Sequence, residues 1–284
     1  MSSKASEPVR RKFSDLLNSL GLAESAVLAF SGGVDSSFLL KAMQLSGMRF
    51  LAVTAFSGIV SEKDSRHAVS FAKEAGAEHL VIHTDELENE SFVSNPPERC
   101  FFCKEELFRK LRLIAEGKNY KRLFDGTNTD DLRDYRPGLK AAAIYGVRSP
   151  LAENGFSKDD IRRMSRELGL SVWNQPSSPC LSSRFPYGRR ITISGLRQVE
   201  RAEEFLGEFG LQELRVRNHG DIARIEVNEK DMQALLVPDN RRKITEALKS
   251  LGFSFVALDL EGYISGSMNR ALGKDAARKP GAAI

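Results

Sequence analysis

The sequence predicts an α/β protein in which a parallel, doubly wound sheet is followed by a second, smaller α+β domain. In the first half, short apolar segments typical of strands alternate with helical patterns of apolar residues. Such alternation is typical of right-handed βαβ units, whose ligands bind beyond the carboxyl ends of the strands. After residue 193 the pattern changes to one helix, two alternating strands, two helices and a last strand. At 284 residues the chain has room for both domains.

The individual elements follow from apolar spacing, helix caps and glycine stops. Phe13, Leu16, Leu17 and Leu20 lie at helical spacing before Gly21. Strands are predicted at 26–30, 49–56, 78–83 and 120–125, and helices after residue 33, at 62–75, after Pro96 and Pro97, and at 157–168. The smaller domain is predicted to contain helices at 196–206, 229–236 and 239–251 and strands at 213–218, 222–227 and 253–258.

Changes in composition divide the chain into four predicted segments. Residues 1–175 form the first domain, and 176–193, dense in proline, serine and glycine, form a cysteine-bearing hinge loop. Residues 194–270 form the small α+β domain, expected to bind substrate or to mediate assembly. Residues 271–284 are expected to be a disordered tail.

The overall composition is that of an ordinary globular protein, with 41% hydrophobic and 28% charged residues. The net charge of +4 does not by itself indicate a nucleic-acid partner. No apolar run approaches the roughly 20 residues that span a bilayer, and the first residues lack the apolar core of a signal peptide, so we expect a cytoplasmic protein with no membrane partner. Three cysteines argue against a disulfide framework and for thiol or metal chemistry.

The segment SGGVDSS at 31–37 follows an apolar strand and opens a helix. Two glycines let backbone N–H groups approach a ligand closely, and the start of the helix offers further N–H groups and the positive end of its dipole. This is the pattern of an anion site; an ordinary βα turn with a serine cap is the alternative. The residues expected to bind the anion are Ser31, Gly32, Gly33, Asp35, Ser36 and Ser37.

This segment resembles the pyrophosphate loop (PP-loop) of the N-type ATP pyrophosphatases. It is not a Walker loop, because no Gly-Lys-Ser/Thr closes it. The resemblance implies that the loop binds the β,γ-pyrophosphate of ATP, so that an acceptor oxygen is adenylated and pyrophosphate leaves. In such enzymes the second strand contacts adenine, which makes Phe56 and Ser57 candidates here, with a packing role as the alternative.

The polar segment GTNTDD at 126–131 follows the fourth predicted strand. Acidic and amide groups at a strand end are suited to hold Mg²⁺ through water against phosphate oxygens. Gly126, Thr127 and Asp130 are therefore predicted to contact the nucleotide and its metal ion. A solvated asparagine-aspartate turn is the alternative.

The cysteines are the other candidates for chemistry. Cys100 and Cys103 lie one helical turn apart near a predicted helix start, where thiolates are favoured; a core helix with apolar cysteines is the alternative. Cys180 lies in the hinge loop with Arg184, Arg189 and Arg190 nearby in sequence to favour a thiolate, and a free surface cysteine is the alternative.

Five segments together resemble one PP-loop family, the ATP-dependent sacrificial sulfur transferase LarE of nickel-pincer nucleotide biosynthesis. They are SGGVDSS at 31–37, GTNTDD at 126–131, RPGLKAA at 136–142, PCLSSRFPYG at 179–188 and LRVRNHGDIARIEV at 214–227. The resemblance implies that ATP and Mg²⁺ adenylate a carboxylate of pyridinium-3,5-biscarboxylic acid mononucleotide and that sulfur then displaces AMP to leave a thiocarboxylate. It also implies a homo-oligomer, a hexamer in the family.

The resemblance leaves two sulfur sources open. In the sacrificial form the cysteine at the position of Cys180 loses its own sulfur and becomes dehydroalanine. In three-cysteine members, residues at the positions of Cys100, Cys103 and Cys180 hold a [4Fe-4S] cluster whose fourth iron carries an extra sulfide. The three cysteines of this chain favour the cluster. A Cys₃His zinc site and a redox CxxC are further alternatives.

The substrate's phosphate and carboxylates require cations. Arg215 and Arg217 share a strand face and are the best pair, with Arg184 beside the sulfur site. Glu200 and Glu203 are one turn apart and are expected to face the same cavity, to bind metal or position the substrate; a solvated charged helix face is the alternative. A tRNA thiolation enzyme is an alternative function, but no RNA-binding appendage is evident. An amidotransferase-type synthetase is disfavoured because no ammonia-generating domain is visible in the sequence. The intact loop argues against a non-catalytic ATP-binding regulatory module.

Overall fold

A computed structural model describes residues 5–133, 135–211, 213–264 and 266–272, with the backbone alone at 271 and 272. Its contacts divide the chain into two compact units. Among the described residues, the first unit contains those up to Glu86 together with Glu98–Ser178, and the second contains Leu87–Pro97 together with those from Pro179 on. The four segment boundaries predicted from the sequence stay predictions, and most of the expected tail at 271–284 lies outside the described residues.

Residues 87–97, which the sequence analysis placed in the first domain, are grouped with the second unit. The backbone explains the grouping, because Gly188 N donates to Asn95 O at 2.8 Å and Ile191 N donates to Val93 O at 2.8 Å.

The strands are β1 (Ser25–Ala29), β2 (Arg49–Phe56), β3 (His79–His83), β4 (Arg122–Phe124), β5 (Val147–Arg148), β6 (Leu214–Asn218), β7 (Ile222–Val227) and β8 (Phe255–Leu258). The helices are α1 (Glu7–Gly21), α2 (Val34–Leu45), α3 (Glu62–Glu74), α4 (Glu90–Val93), α5 (Arg99–Gly117), α6 (Gly138–Ile144), α7 (Pro150–Glu153), α8 (Lys158–Glu167), α9 (Ile193–Gly207), α10 (Glu229–Leu236) and α11 (Pro238–Ser250). None of the described helices is long and apolar enough to cross a membrane.

The first unit is a five-stranded sheet in the order β3-β2-β1-β4-β5, and each neighbouring pair is parallel. One apolar cluster joins the sheet to α1, α2 and α8 through Leu16, Phe38 and Ile161, and another joins it to α5 through Phe108 and Leu111. Because both faces are covered, the central strand β1 is apolar throughout its middle, as parallel strands are. The predicted α/β class is confirmed.

The second unit contains the sheet β6-β7-β8, in which β6 and β7 are antiparallel and β7 and β8 are parallel. Leu206, Val216, Ile225 and Leu248 lie in its core. As predicted, Arg215 and Arg217 share one face of β6 because alternate side chains of a strand point the same way. That face is also covered, since the two residues are only 9% and 5% exposed.

Candidate functional site

The loop at 31–37 (the PP-loop) joins β1 to α2 and depends on two glycines. Gly32 has a φ of +72°, a conformation that strains residues with a side chain. A Cβ at Gly32 would lie 2.7 Å from the Cα of Ala68, so α3 packs directly against the loop. Gly33 is the N-cap residue of α2, and the unpaired N–H groups of the first turn follow it. The segment therefore has the strand, turn and helix start of an anion site.

Hydroxyl groups fix the shape of the PP-loop. Ser36 Oγ accepts from Ser31 N at 3.3 Å and donates to Gly33 O at 3.2 Å. Ser37 Oγ and Asp35 Oδ1 are buried and have no hydrogen-bond partner among the described residues. Buried polar atoms of this kind are uncommon in folded proteins, so these two atoms are suited to interact with a bound ligand.

The loop at 126–131 packs against the start of α2. A Cβ at Gly126 would lie 2.9 Å from Ser36 N, so only glycine allows this approach. Asp125 accepts from Thr127 N at 3.1 Å and Thr127 Oγ1 at 2.9 Å, and Asn128 Oδ1 accepts from Asp130 N at 2.9 Å. The loop is thus held in place mainly by its own side chains. The structure brings it to the PP-loop, as a joint nucleotide site requires.

Lys158 is a candidate that the sequence analysis missed. Its Nζ lies 2.5 Å from Asp35 Oδ2, and its backbone N donates to Asp130 Oδ2 at 2.8 Å. Ser157 and Asp160 form a capping box, which makes Lys158 the first residue of α8. The capping pattern gives no information about what this first residue contacts across 123 positions of sequence. Lys158 supplies the PP-loop with a lysine that the loop itself lacks.

Acidic groups surround this lysine. Burial raises the pKa of Asp131 above its ordinary value, while Arg136, whose Nη2 lies 2.6 Å from Asp131 Oδ1, acts in the opposite direction. Asp35 raises the pKa of Asp131 further and Lys158 lowers it. Asp35, Asp131 and Lys158 are therefore electrostatically coupled beside the PP-loop.

A cavity of about 430 Å³ opens at the carboxyl ends of β2 and β3. This is the edge of a parallel sheet where ligands bind. The cavity is lined by the predicted adenine contact Phe56 together with Ser57, Gly58, Val60, Glu62, Ser65, Arg66, His83, Thr84 and Asp85. The structure thus places Phe56 and Ser57 at a cavity rather than in the core, and their contact with adenine stays a prediction.

Cys100 and Cys103 lie in the first two turns of α5, Cys100 exposed and Cys103 half-buried. The thiol of Cys103 donates to Glu86 Oε1 over 3.7 Å. Glu86 is buried, and the sequence analysis did not single it out. Among the residues that the structure describes, no three His, Cys, Asp or Glu side chains converge as ligands of one metal ion.

In the second unit, Arg184 holds the loop that carries Cys180. Its guanidinium donates to Pro179 O at 2.7 Å, to Cys180 O at 3.1 Å and to both carboxylate oxygens of Glu203 at 2.9 and 2.7 Å. Burial acts to lower the pKa of Arg184, but the Glu203 carboxylate outweighs it and raises the pKa above the ordinary value. Glu203 also accepts from Val216 N, so it ties the cysteine loop to β6.

A second charged network lies on β6 and β7. Glu226 is 1% exposed and accepts from Arg217 at 2.6 Å and from Arg224 at 2.7 Å. Arg215 lies over the ring of Tyr263. Burial lowers the pKa of Arg215, and the neighbouring Arg184 and Arg217 lower it further. The positive charges of Arg184, Arg215 and Arg217 thus repel one another in buried positions. A cluster of guanidinium groups of this kind is suited to bind an anionic ligand.

The predicted site residues thus fall into two groups. The first unit contains the PP-loop residues, Phe56, Gly126, Thr127, Asp130, Cys100 and Cys103, and the second contains Cys180, Arg184, Glu200, Glu203, Arg215 and Arg217. The structure brings the PP-loop to Gly126, and it brings both Cys180 and Glu203 to Arg184. The substrate, metal and catalytic roles of the individual residues stay predictions.

Comparison with known proteins assigns the family. No family model matches the chain. The chain is 41% identical over 264 residues to an uncharacterized protein of Synechocystis sp., covering 93% of this chain and 98% of that protein. It is 28% identical over 167 residues, 53% of each chain, to one subunit of the glutamine-hydrolyzing GMP synthase of Thermoplasma acidophilum. It is 39% identical over 265 residues, 93% of this chain and 95% of the relative, to the pyridinium-3,5-bisthiocarboxylic acid mononucleotide synthase of Lactiplantibacillus plantarum. With this identity across nearly the whole length of both proteins, the chain belongs to the LarE family of such synthases.

Proposed function

We propose that the chain is an ATP-dependent sulfur transferase that converts a carboxylate of pyridinium-3,5-biscarboxylic acid mononucleotide to a thiocarboxylate. The observation that carries the proposal is the 39% identity to a relative named for the bisthiocarboxylic acid product, which extends over both units of the chain. The PP-loop, with its glycine turn at the start of α2, supports the use of ATP.

In the first step, a carboxylate oxygen of the substrate attacks the α-phosphorus of ATP. The new bond joins that oxygen to phosphorus, the bond from the α-phosphorus to the bridging oxygen breaks, and pyrophosphate leaves with the electron pair. We propose that the backbone and hydroxyl groups of the PP-loop bind the β- and γ-phosphates and that the base binds in the cavity beside Phe56 and Ser57; the volume of that cavity, about 430 Å³, supports the second assignment.

We assign the magnesium ion to the carboxylates of Asp35 and Asp130. Both contact Lys158, at Oδ2 in each case, and Asp35 Oδ1 has no partner among the described residues. Mg²⁺ is usually held by one or two carboxylates together with phosphate oxygens and water, so a dedicated protein cage is not required. When bound, the ion would neutralise charge on the phosphates, while Lys158 orients Asp35.

In the second step, sulfur attacks the carbonyl carbon of the acyl adenylate. A carbon–sulfur bond forms, the bond from carbon to the AMP oxygen breaks, and AMP leaves with the electron pair. We place Cys180 at this step because Arg184 holds its loop by two backbone carbonyls. If the cysteine itself is sacrificed, loss of its Cα proton and cleavage of its Cβ–Sγ bond release the thiocarboxylate and leave dehydroalanine.

The alternative sulfur carrier is a [4Fe-4S] cluster on Cys100, Cys103 and Cys180, which is the form we favour from the number of cysteines. The described residues form no converging group of three ligands, so this assignment is based on the resemblance and no step is derived through the cluster. Iron and acid-labile sulfide should be measured after anaerobic purification. Absence of both would leave the sacrificial cysteine, which mass spectrometry would detect as the loss of H₂S from Cys180.

For substrate binding we propose Arg215 and Arg217, with Arg184 beside the sulfur site and with Glu200 and Glu203 positioning the substrate. The lowered pKa of Arg215, caused first by burial and then by Arg184 and Arg217, supports this assignment, because an anionic ligand would relieve the mutual repulsion of these guanidinium groups. The contacts of Arg184 with Pro179, Cys180 and Glu203 support its place at the cysteine loop. By the same family resemblance we propose a cytoplasmic homo-oligomer, a hexamer.

The function is tested by incubating the protein with ATP, Mg²⁺, a sulfide source and either the pyridinium dicarboxylate mononucleotide or tRNA. We expect AMP and a thiocarboxylate product in the incubation with the mononucleotide and neither product in the incubation with tRNA. Formation of AMP that depends on tRNA alone would replace the proposal with tRNA thiolation. ATP binding without AMP from either compound would indicate a binding module.

A further inference from the structure

Glu86 is a buried carboxylate just beyond the end of β3 in the first unit. It is 4% exposed and starts the short 3-10 turn Glu86–Glu88 that follows β3. Its neighbours in sequence, Thr84 and Asp85, line the cavity at the carboxyl ends of the strands. Glu86 therefore lies immediately behind the predicted nucleotide cavity.

The two oxygens of Glu86 accept from two different neutral donors. Oε2 accepts from the hydroxyl of Ser57 at 2.7 Å, and Oε1 accepts from the thiol of Cys103 over 3.7 Å. No Lys, Arg or His among the described residues forms an ion pair with it, whereas buried carboxylates are normally paired with a cation. An unpaired buried acid is costly to stability, so a residue of this kind indicates a task beyond packing.

The two donors belong to two parts of the predicted machinery. Ser57 follows β2 and lines the cavity, and its Oγ also accepts from Ile59 N at 3.4 Å. Cys103 lies on α5 in the CxxC segment. Glu86 is thus a direct hydrogen-bonded bridge between the wall of the cavity and a cysteine, within one compact unit.

We propose that Glu86 is a positioning residue that fixes the Cys103 thiol and links it, through Ser57, to occupancy of the nucleotide cavity. A base in the cavity would restrict the Ser57 hydroxyl, and a restricted hydroxyl holds the Glu86 carboxylate and thereby the thiol. The proposal depends on the proposed function only in taking a nucleotide as the occupant of the cavity. It adds a residue and a coupling to that function.

The test measures how fast iodoacetamide alkylates each cysteine of the full-length, reduced, metal-free chain, by mass spectrometry of the three cysteine peptides. We expect Glu86→Met, which has no oxygen acceptor, to raise the rate at Cys103 threefold or more while the rate at exposed Cys100 stays constant. Glu86→Gln keeps one oxygen acceptor and should stay within twofold of wild type. The matched control Glu88→Gln changes an exposed acid on the same turn and should alter neither rate.

The coupling is tested with AMP as the probe. Saturating AMP should slow alkylation of Cys103 in the wild type by threefold or more. Ser57→Ala, compared at an AMP concentration that calorimetry shows to saturate the variant, should abolish that effect. Direct shielding by the nucleotide would survive in Ser57→Ala and would overturn the coupling. If Glu86→Met and Glu86→Gln alkylate alike, or if both match the wild type, hydrogen bonding by Glu86 does not position Cys103 and the proposal is wrong.

A failure of the Glu86 proposal can be distinguished from a failure of the proposed function. Alkylation requires neither substrate nor turnover, so a wrong substrate assignment would leave every arm of the test intact. If Glu86→Met fails to fold, as judged by thermal melting, the Ser57→Ala arm decides by itself, since that change removes one partly buried hydroxyl.

Discussion

The two units are suited to negatively charged ligands in different ways. In the first unit the PP-loop offers backbone N–H groups and hydroxyls, and its closest packing is of Gly32 against the backbone of Ala68 and of Ser36 N against Gly126. In the second unit the cations are guanidinium groups, held in buried positions by the carboxylates of Glu203 and Glu226. A backbone site depends on the absence of side chains, whereas an arginine site depends on the presence of paired charges.

This difference predicts different sensitivities. Adding a single methyl group should damage the first unit, because the space is occupied by backbone that cannot move aside. Removing a single charge should damage the second, because a buried charge without its partner is costly. Changes of both kinds, made with matched controls, measure how far the comparison holds.

The largest effect is expected from Glu226→Gln in the second unit. The change leaves the buried guanidinium of Arg217 without its ionic partner and weakens the contact with Arg224. Breaking a buried pair in this way costs about 3 to 5 kcal/mol, which should appear as a lowered denaturant midpoint of unfolding.

The control for this change is Glu261→Gln, which breaks an exposed pair with Arg270 and should cost less than about 1 kcal/mol. If the two variants were equally stable, Glu226 would contribute no more than a surface ion pair. The view of the second unit as a site of matched buried charges would then be wrong.

The next effect is expected from Gly32→Ala in the PP-loop. The backbone at φ +72° strains any side chain, and the added Cβ would meet the Cα of Ala68. Together, strain and overpacking should destabilise the first unit by about 2 to 4 kcal/mol and abolish ATP binding, as measured by denaturation and by calorimetry.

Gly47→Ala is the matched control. Gly47 has the same φ of +72°, but no atom lies within 4 Å of its Cβ position. It should therefore show only the conformational strain and bind ATP normally. ATP binding by Gly32→Ala at wild-type affinity would show that close packing of α3 against the loop is not needed for the site.

Much of this fold could be predicted from the sequence because local patterns determine it. The strands at 49–56 and 222–227 and the helix at 229–236 were predicted with their observed bounds, since apolar alternation and caps mark both ends. Strand β5 was not predicted, because its two residues pair with β4 and are too short for a periodic pattern. Helix α6, with its run of alanines, was likewise not assigned.

The sequence predicted which residue types form the candidate site, but not which distant residues contact them. The PP-loop and Gly126 have local signatures, and the structure brings them together. Lys158 and Glu86 have none, because their roles come from partners 123 and 29 residues away in sequence. The arginines of β6 were predicted to share a face, but their burial depends on how the rest of the unit covers them.

A smaller effect is expected from Lys158→Met. Lys158 supplies the positive charge beside Asp35 that the PP-loop lacks, and its side chain is 34% exposed. Its loss should weaken ATP binding about tenfold, equal to about 1.4 kcal/mol, with little loss of stability.

Lys12→Met is the control, because Lys12 pairs with Asp160 in the same unit but does not contact the PP-loop. Equal ATP affinities for the two variants would mean that the backbone and hydroxyl groups of the PP-loop bind the phosphates without Lys158.

The smallest effect is expected in the pKa values of two histidines, one in each unit, which are lowered for different reasons. Burial lowers the pKa of His79, whose Nε2 lies 2.8 Å from Thr54 Oγ1. In the second unit, burial lowers the pKa of His219 and the nearby Arg224, Arg189 and Arg217 lower it further. Both histidines bind fewer protons in the folded state than in the unfolded state just below pH 6.5, so the free energy of unfolding should fall as the pH drops through that window.

Salt distinguishes the two causes, because it screens charges but does not undo burial. Proton NMR titration of the chain's four histidines should place the pKa of both His79 and His219 below 6.5. Raising the salt concentration should move the pKa of His219 upward and leave that of His79 unchanged. His79→Gln and His219→Gln assign the resonances and should each flatten part of the pH dependence of stability. A response of both histidines to salt would mean that charges, and not burial alone, also shape the first unit, and the contrast between the two units would then be one of degree.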